Sequence, residues 1–305
     1  MVLLTVRTPP RAKIIPRIFG GIGNQLFCYA AARRLALVNN ADLALDHISG
    51  FSYDEQYRRN YQLDHFAIPF RTATSAERLE PLSRIRRYLK RRWQARRPFE
   101  QRGYIRQESM DFDARLLHVR PHSTLYLEGY WQSEGYFKDV DSTIRQDLLI
   151  QPPEDAVNRR MAEGIATTRA IAVHVRFFDP PGVTQNNNAP NEYYTRAVDR
   201  MEALVPNAHY FIFSDRPAAA RARVPLPDDR ITLVHHNEGA GLAYADLWLM
   251  SQCRHFIIGN STFSWWGAWL APDPGKLVIA PGFEIRQGAM SWGFAGLLPK
   301  EWIKL

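Results

Sequence analysis

The second half of the chain alternates short apolar runs with segments whose apolar residues recur at helical spacing. This alternation is typical of a parallel sheet covered by helices. Asn191 is expected to cap the first helix of this half. The predicted strands span residues 171–175, 210–213, 231–234, 256–258 and 277–280, and the predicted helices span residues 191–204, 242–253 and 263–270.

The first half shows the same alternation of strands and helices, but less regularly. A proline-containing stretch at residues 151–154 is typical of a linker. We therefore predict an α/β fold of two Rossmann-like halves that face each other across a cleft, with an N-terminal domain over residues 1–152 and a C-terminal domain over residues 153–305. The predicted elements of the first half are strands over 13–19, 41–45 and 125–127, a helix over 24–38, and a helix beginning near Ser133.

Composition and charge narrow the class of protein without deciding its function. The 305 residues are 46% hydrophobic, which is enough to bury one large core or two medium ones. Lys and Arg exceed Asp and Glu by 39 − 31 = 8. This positive balance favours anionic partners such as nucleic acid, an acidic membrane surface or a phosphorylated substrate.

Cysteine usage and the N-terminus indicate a compartment. Cys28 and Cys253 lie far apart among apolar residues, which argues against zinc and dithiol sites and favours buried free thiols in a reducing environment. The residues before Arg7 are too few for the apolar region of a signal peptide, and no apolar run reaches membrane-spanning length. We therefore expect a soluble, cytoplasmic protein.

One segment does not fit the alternation of apolar strands and amphipathic helices. Residues 84–97 (RIRRYLKRRWQARR) hold eight cations. We favour a solvated helix face on an insertion, because charge runs are common on protein surfaces. A peripheral contact with an anionic membrane surface is the alternative. Tyr88 and Trp93 are too few aromatic side chains for stacking along a nucleic acid strand, so we expect no nucleic-acid partner.

Polar side chains cluster where three predicted strands of the second half end. Because ligands bind outside the carboxyl ends of the strands in an open parallel sheet, these clusters predict one binding site. Helix capping is the alternative for Asp215 and Asn260, since Asp and Asn often begin helices. The clusters are His174 with Arg176, then Ser214 with Asp215, then Asn260, Ser261 and Thr262.

Capping does not account for His174 and Arg176. Side chains alternate along a strand, so these two point to the same side of an otherwise apolar run. A buried and unpaired arginine is costly, so Arg176 requires an anionic partner. Phosphate is the obvious candidate, because its oxygens match the guanidinium fork.

The first half contains a glycine-rich turn between a predicted strand and a predicted helix. Residues 20–24 (GGIGN) are in the right context for backbone to approach a phosphate. The full dinucleotide-binding pattern is absent, because Leu26 occupies the third glycine position. The segment therefore predicts a tight turn that faces the cleft, and a purely structural turn is the alternative.

Asp246 stands out because it lies in an apolar helix. A carboxylate in such a setting needs hydrogen-bond donors. A structural arginine would satisfy it. The alternative partner is the edge of a guanine, which presents two N–H donors to the two carboxylate oxygens.

Five segments, in their order and spacing, resemble the α-1,2-fucosyltransferase family. The closing residues 298–302 (LPKEW) are similar to the end of that family, and the resemblance covers most of the chain outside the basic segment. The segments are residues 20–27 (GGIGNQLF), 128–137 (EGYWQSEGYF), 174–179 (HVRFFD), 213–215 (FSD) and 246–270 (DLWLMSQCRHFIIGNSTFSWWGAWL).

The resemblance implies a GT-B fold, GDP-β-L-fucose as donor, and no metal or other cofactor. It implies transfer with inversion to the 2-hydroxyl of a terminal galactose in an oligosaccharide. By similarity, Arg176 clamps the diphosphate, and His174 and Asp246 lie at the nucleoside. The other positions that the resemblance places at the donor are Gly23, Asn24, Asp215 in the base pocket, Asn260, Ser261 and Thr262, with Trp131 and Gln132 on the acceptor side.

One loop departs from the family pattern. Phe177 and Phe178 stand where the family usually has arginine and glycine, which changes the loop after the strand, while Asp179 keeps the acidic position. Asp179 is the candidate base that takes the acceptor proton. Glu134 and Glu192 are the alternatives.

Two further patterns are set aside. Residues 111–113 (DFD) match the DxD spacing of metal-dependent glycosyltransferases but follow polar residues, so we expect a surface turn or helix cap. Residues 260–262 (NST) have no meaning as a glycosylation site without a signal peptide.

Three alternatives to this function stay open. One is a fucosyltransferase of α-1,3 or α-1,6 linkage. A second is a non-catalytic protein that binds GDP or a glycan, which the altered loop at Phe177 and Phe178 makes conceivable. The third is the nucleic-acid binder considered above.

Overall fold

A computed structural model describes residues 11–52, 58–178, 187–286 and 291–305. Its helices and strands alternate along the chain. The strands are β1 (Lys13–Pro16), β2 (Asp42–Leu45), β3 (Arg71–Thr72), β4 (Tyr104–Arg106), β5 (Thr124–Glu128), β6 (Ala170–Val175), β7 (His209–Ser214), β8 (Ile231–Val234), β9 (His255–Ile257), β10 (Val278–Ala280) and β11 (Ile303–Lys304). The helices are α1 (Ile22–Val38), α2 (Ser83–Gln94), α3 (Asp141–Asp147), α4 (Ala156–Ala166), α5 (Asn191–Leu204), α6 (Pro217–Arg221), α7 (Ala243–Ser251) and α8 (Thr262–Leu270).

The strands form two parallel sheets. The first has the order β3-β2-β1-β5-β4 and the second the order β11-β10-β9-β6-β7-β8. At the centre of the second sheet, Val173 of β6 lies opposite Ile212 and Ile257. These sheets confirm the α/β fold of two Rossmann-like halves. The predicted boundary between residues 152 and 153 stays a prediction.

Helices α1 and α8 pack directly against each other and connect the two halves. Both are buried on most sides, because their sequences are apolar around the whole helix. One hydrophobic cluster therefore continues from Ile14 and Leu125 of the first sheet to Ala172 and Phe256 of the second.

The first half corrects two local expectations. The helix predicted near Ser133 begins only at Asp141, after two short 3-10 turns. Strand β1 ends at Pro16 rather than at residue 19. In the second half, Asn191 is the first residue of α5, and Pro190 rather than Asn191 occupies the capping position.

Two other expectations concern the state of the cysteines and the presence of membrane-spanning helices. Cys28 and Cys253 are both buried free thiols, as predicted. None of the described helices combines the length and the apolar character that a membrane span requires.

Candidate functional site

A cavity of about 990 Å³ lies between the two halves. Its first wall is the glycine-rich turn at the start of α1, and its second wall is the carboxyl edge of the second sheet. Since β9, β6, β7 and β8 are successive neighbours in this sheet, the residues that follow these strands form one continuous row. All the residues predicted from strand ends in the second half line this cavity: His174, Arg176, Ser214, Asp215, Asn260, Ser261 and Thr262.

Arg176 and Asp215 form an ion pair at the ends of β6 and β7. Arg176 Nη1 lies 3.2 Å from Asp215 Oδ2, and the Phe177 backbone N–H donates to Asp215 Oδ1 at 3.2 Å. Asp215 is therefore an anionic partner of Arg176 in this structure and orients its guanidinium. Its predicted place in the base pocket stays a prediction.

His174 is buried beside Arg176. Its side chain is 5% exposed, and its Nδ1 has no hydrogen-bond partner. Burial, with a smaller contribution from the charge of Arg176, lowers the pKa of His174 to about 3. The imidazole is therefore neutral near pH 7 and offers a hydrogen bond rather than a charge to the cavity.

The N-terminal ends of α1 and α8 both border the cavity. Thr262 Oγ1 donates to Asn24 Oδ1 at 3.0 Å, and Gln132 Nε2 donates to the same oxygen at 2.7 Å. Ser261 Oγ accepts from the Phe263 N–H at 3.3 Å and caps α8. Two helix N-termini side by side favour an anion, because their aligned peptide dipoles present partial positive charge.

Gly23 allows the two helices to meet. A Cβ at Gly23 would lie 2.5 Å from the backbone carbonyl carbon of Thr262, so only glycine fits without displacing backbone. Trp266 Nε1 also donates to the Gly23 carbonyl at 2.9 Å. Gly23 lines the cavity, but the contact that requires glycine is with α8.

The far end of the row holds a polar network around Asp246. Asp246 Oδ1 accepts from Asn237 Nδ2 at 2.9 Å, and Asn237 in turn exchanges hydrogen bonds with Asn158 at 2.9 Å. Burial raises the pKa of Asp246 to about 6, while the hydrogen bond from Asn237 opposes that shift. Its described hydrogen-bond partner is thus an amide rather than the arginine considered above.

Asn260 makes structural hydrogen bonds at the carboxyl edge of the second sheet. Its Nδ2 donates to the Asn187 carbonyl at 2.8 Å, and its Oδ1 accepts from the Ala189 N–H at 3.2 Å. The side chain therefore holds the backbone before α5 against the cavity wall. A direct role in donor binding stays a prediction.

A segment of the first half crosses the cavity near α7, and the sequence analysis missed it. Gln62 Nε2 donates to the Ala240 carbonyl, and the His65 ring stacks on Tyr244 with centroids 3.5 Å apart and 7° between the planes. Gln25 anchors the segment, because its Oε1 accepts from the Gln62 N–H at 3.0 Å. These polar residues lie outside any strand end, so no periodic signal marked them.

The predicted acceptor residues, Trp131 and Gln132, border two different cavities. Gln132 lines the cleft, whereas Trp131 lines a second cavity of about 300 Å³ near the carboxyl end of β4. Trp131 Nε1 and Gln107 Nε2 are buried without a hydrogen-bond partner. Both are N–H donors next to the second cavity, and they suit a ligand rich in hydroxyl oxygens.

Two of the three candidate bases lie among the described residues. Asp179 lies outside the described residues. Glu134 forms an ion pair with Lys138 at 2.9 Å, Glu192 lies exposed on α5, and neither lines the cleft. Glu238, a cleft-lining carboxylate after β8, was missed by the sequence analysis.

The DFD segment is a cap, as predicted. Asp113 Oδ1 accepts from the Arg115 N–H at 3.0 Å at the start of a 3-10 turn. Asp111 Oδ1 accepts from the Ala295 N–H at 3.0 Å.

Two Rossmann-like sheets that face each other across a cleft define the GT-B fold. Two crystal structures share the fold. Fucosyltransferase NodZ from Bradyrhizobium matches with a TM-score of 0.53 at 17% identity, over 87% of this chain and 94% of that one. A mutant of Arabidopsis thaliana FUT1 in complex with GDP matches with a TM-score of 0.55 at 16% identity, over 94% and 73%.

The chain belongs to glycosyl transferase family 11, whose model matches residues 64–288. Two relatives from Escherichia coli agree with this assignment. An alpha-1,2-colitosyltransferase is 26% identical over 88% of this chain and 91% of its own length. The O-antigen biosynthesis glycosyltransferase WbnK is 27% identical over 86% and 91%. The resemblance to fucosyltransferases of this family and the GT-B fold are thereby confirmed.

Proposed function

We propose that this glycosyltransferase moves L-fucose from GDP-β-L-fucose to the 2-hydroxyl of a terminal galactose, with inversion at the anomeric carbon. The observation that carries the proposal is the polarity of the cleft along its row of strand ends. The cationic side chain of Arg176 and the N-terminal end of α8 follow β6 and β9. The carboxylate of Asp246 accepts a hydrogen bond from Asn237, which follows β8 at the edge of the sheet. This order matches a donor whose diphosphate is anionic and whose guanine presents N–H groups.

The diphosphate end stabilises the leaving group. As the bond between the anomeric carbon and the phosphate oxygen breaks, negative charge grows on GDP. Arg176 and the N-terminal end of α8 at Ser261 and Thr262 supply preorganised positive charge for it, and such electrostatic stabilisation is often the largest catalytic effect. Asp215 acts as a positioning residue, because its carboxylate orients Arg176.

The guanine end selects the base. Asp246 accepts from the ring N–H and the exocyclic amine of guanine, a pair that adenine does not offer. The neutral imidazole of His174, beside Arg176, hydrogen-bonds the nucleoside or its phosphates. The FUT1 structure of the same fold holds GDP, which supports this donor class.

The acceptor enters from the first half. Its 2-hydroxyl attacks the face of the sugar opposite GDP and gives its proton to a carboxylate, for which Asp179 is the proposed base. Gln132 lies in the cleft beside Asn24. Trp131 and Gln107 offer buried N–H donors to a neighbouring sugar of the acceptor.

The names of the relatives support the proposed linkage and suggest a second candidate for the donor sugar. One of them carries alpha-1,2 in its name. Colitose is L-fucose without its 3-hydroxyl, so a colitosyl donor is the second candidate for the same cleft.

A donor and acceptor screen tests the proposal. The purified protein is incubated with GDP-fucose or GDP-colitose and with lactose or other β-galactosides, and the product linkage is determined by NMR. We expect an α-1,2-fucoside with wild-type protein and none with Arg176→Ala. An α-1,3 or α-1,6 product overturns the linkage, and preference for GDP-colitose overturns the donor. GDP binding by calorimetry without any product supports a non-catalytic binder.

A further inference from the structure

Helix α2 carries large apolar side chains on the side that faces solvent. Among the described residues, five of the twelve exposed large hydrophobic side chains lie between positions 82 and 93. Three of them recur every four residues within α2 and therefore form one stripe along the helix, and a fourth occupies the N-cap position just before it. We call these four residues the α2 outer stripe: Leu82, Ile85, Leu89 and Trp93, which are 67%, 55%, 57% and 55% exposed.

The opposite side of α2, which packs on the protein, is polar. Arg87 and Gln94 are the buried residues of the helix. Arg87 Nη1 donates to Ser49 Oγ at 3.1 Å, and Gln94 Oε1 accepts from the Gly103 N–H at 2.7 Å. Burial lowers the pKa of Lys90 as well. A surface helix of a soluble protein normally has the reverse arrangement, with its apolar side inward.

The sheet beneath α2 explains the polar inner side. Ser49 Oγ donates to Asp46 Oδ2 at 2.6 Å, and Tyr126 OH donates to the same oxygen at 2.5 Å. Arg87 joins this buried network through Ser49. The network anchors the helix by charge and hydrogen bonds, so folding of the chain does not require the outer stripe.

Cations flank the outer stripe on both sides. At 3.6 residues per turn, Arg86 lies along one side of the stripe and Arg92 along the other, and Arg96, exposed just after the helix, continues the border. Arg97, just after the helix, places its guanidinium 4.7 Å from the centre of the Trp93 ring. This combination of an apolar stripe, an interfacial tryptophan and a cationic border is typical of helices that lie in a membrane interface.

We propose that α2 docks this protein on an anionic membrane, with the outer stripe among the acyl chains and the flanking cations at the lipid phosphates. The charge of the border selects anionic lipid, since each Lys or Arg near such a surface contributes roughly a fivefold gain in partitioning. A nucleic acid would engage the cations but leaves four apolar side chains in water, so it does not account for the stripe. The apolar stripe is the observation that favours docking over the merely solvated face preferred in the sequence analysis.

Vesicle co-sedimentation with the full-length chain tests the proposal without donor or acceptor, so its failure leaves the proposed function untouched. Vesicles contain equal parts of phosphatidylglycerol and phosphatidylcholine, or phosphatidylcholine alone. We expect binding to the anionic vesicles only, weaker at higher salt. The triple variant Ile85→Gln, Leu89→Gln, Trp93→Gln should lose binding at least about tenfold. Arg86→Gln with Arg92→Gln and Arg96→Gln should lose about 100-fold.

Matched controls use exposed residues of the same kinds elsewhere. Leu149→Gln with Val157→Gln and Leu204→Gln removes apolar side chains, and Arg160→Gln with Arg196→Gln and Arg200→Gln removes cations, all from exposed positions. Both controls should bind anionic vesicles like the wild type. Circular dichroism melting verifies that every variant folds.

Fluorescence gives an independent measurement of insertion. Trp93 is the one exposed tryptophan of the eight, all of which lie in the described ranges. Brominated acyl chains should quench wild-type emission on binding and leave Trp93→Phe unquenched. Protein that stays in the supernatant at low salt overturns the proposal. So does vesicle binding that the stripe variant retains in full, or binding to DNA in place of vesicles.

Discussion

Arg176 and Asp215 follow neighbouring strands, and their side chains meet at 3.2 Å over the floor of the cleft. The pair joins the group that we expect to hold the leaving diphosphate to a carboxylate that keeps it in place. Both side chains are partly exposed, so the pair adds little to stability, about 1 kcal/mol at most. Its importance lies in orienting a cation.

Arg176→Ala should abolish most transfer while preserving the fold. Loss of one preorganised donor to a developing negative charge raises the barrier by about 2.7–4 kcal/mol, or about 100- to 1,000-fold in kcat. Steady-state kinetics with GDP-fucose measures the loss, and thermal melting verifies the fold. Arg196→Ala, on the exposed side of α5, is the matched control and should behave as wild type. Near-normal turnover of Arg176→Ala would falsify the role.

Asp215→Asn should reduce kcat through Arg176 rather than by itself. In a double-mutant cycle, Asp215→Asn should lower kcat in the wild-type background and have little further effect in the Arg176→Ala background. Its Tm should stay close to that of the wild type, because the pair is solvent-screened. Additive losses in the cycle would mean that Asp215 contacts the donor directly, as the resemblance implies.

GDP affinity should depend on pH through Asp246. Its pKa of about 6 means that the carboxylate is ionised at pH 7 and loses an acceptor for guanine as the pH falls. Calorimetry should show GDP binding weakening below about pH 6, by up to tenfold per pH unit. His174 should not contribute, since its pKa of about 3 keeps it neutral over this range.

Asp246→Asn should remove that pH dependence. GDP should bind more weakly by about 1–3 kcal/mol, because an amide donor then faces a guanine donor. Without GDP, the variant should be the more stable protein at pH 7. A raised carboxylate pKa favours the folded state below pH 3.8 and gives up that stability as the pH rises through about 6. Unchanged GDP affinity would make Asp246 a structural partner of Asn237 only.

Transfer should not require a divalent metal. Arg176 and the helix N-termini are expected to neutralise the leaving diphosphate in place of a cation. Activity should therefore survive excess EDTA at the wild-type rate. Complete loss that Mg²⁺ or Mn²⁺ restores would contradict this prediction.

Gly23→Ala should destabilise the chain more than Gly21→Ala, two positions earlier. A Cβ at Gly23 meets the Thr262 backbone at 2.5 Å, whereas a Cβ at Gly21 meets nothing within 4 Å. The first change should cost about 1–3 kcal/mol in the free energy of unfolding, since packed backbone must shift. The second should leave stability unchanged and affect only ligand binding. Urea titrations compare the two, and equal midpoints would refute the packing argument.

The pattern of apolar residues predicted most of the strands, because strands buried on both faces leave apolar runs such as 210–213 and, interrupted only by His174, 171–175. Polar residues at strand ends then located the cleft wall. The short strands β3, β4 and β11 escaped detection, since two or three residues that include a Lys or Arg carry no apolar pattern.

Other features depend on contacts between distant parts of the chain. The pairing of Arg176 with Asp215 follows from β6 and β7 being neighbours. The Asn237 side chain that donates to Asp246 is itself held by Asn158, 79 positions earlier in the sequence. The glycine of the predicted phosphate turn, Gly23, is required by a helix from the other half. No local pattern encodes such relationships, because they arise only when the two halves pack.

The contact of α1 with α8 has a thermodynamic consequence. Because the buried cluster runs without a break from Leu125 to Phe256, neither half can unfold without exposing the core that the two halves share. The second half has an additional cluster on the other face of its sheet, around Val173 and Ile212. The chain should therefore melt as a single cooperative unit, with one calorimetric transition whose calorimetric and van't Hoff enthalpies agree. The two halves then unfold together in one transition, although each is built around its own sheet.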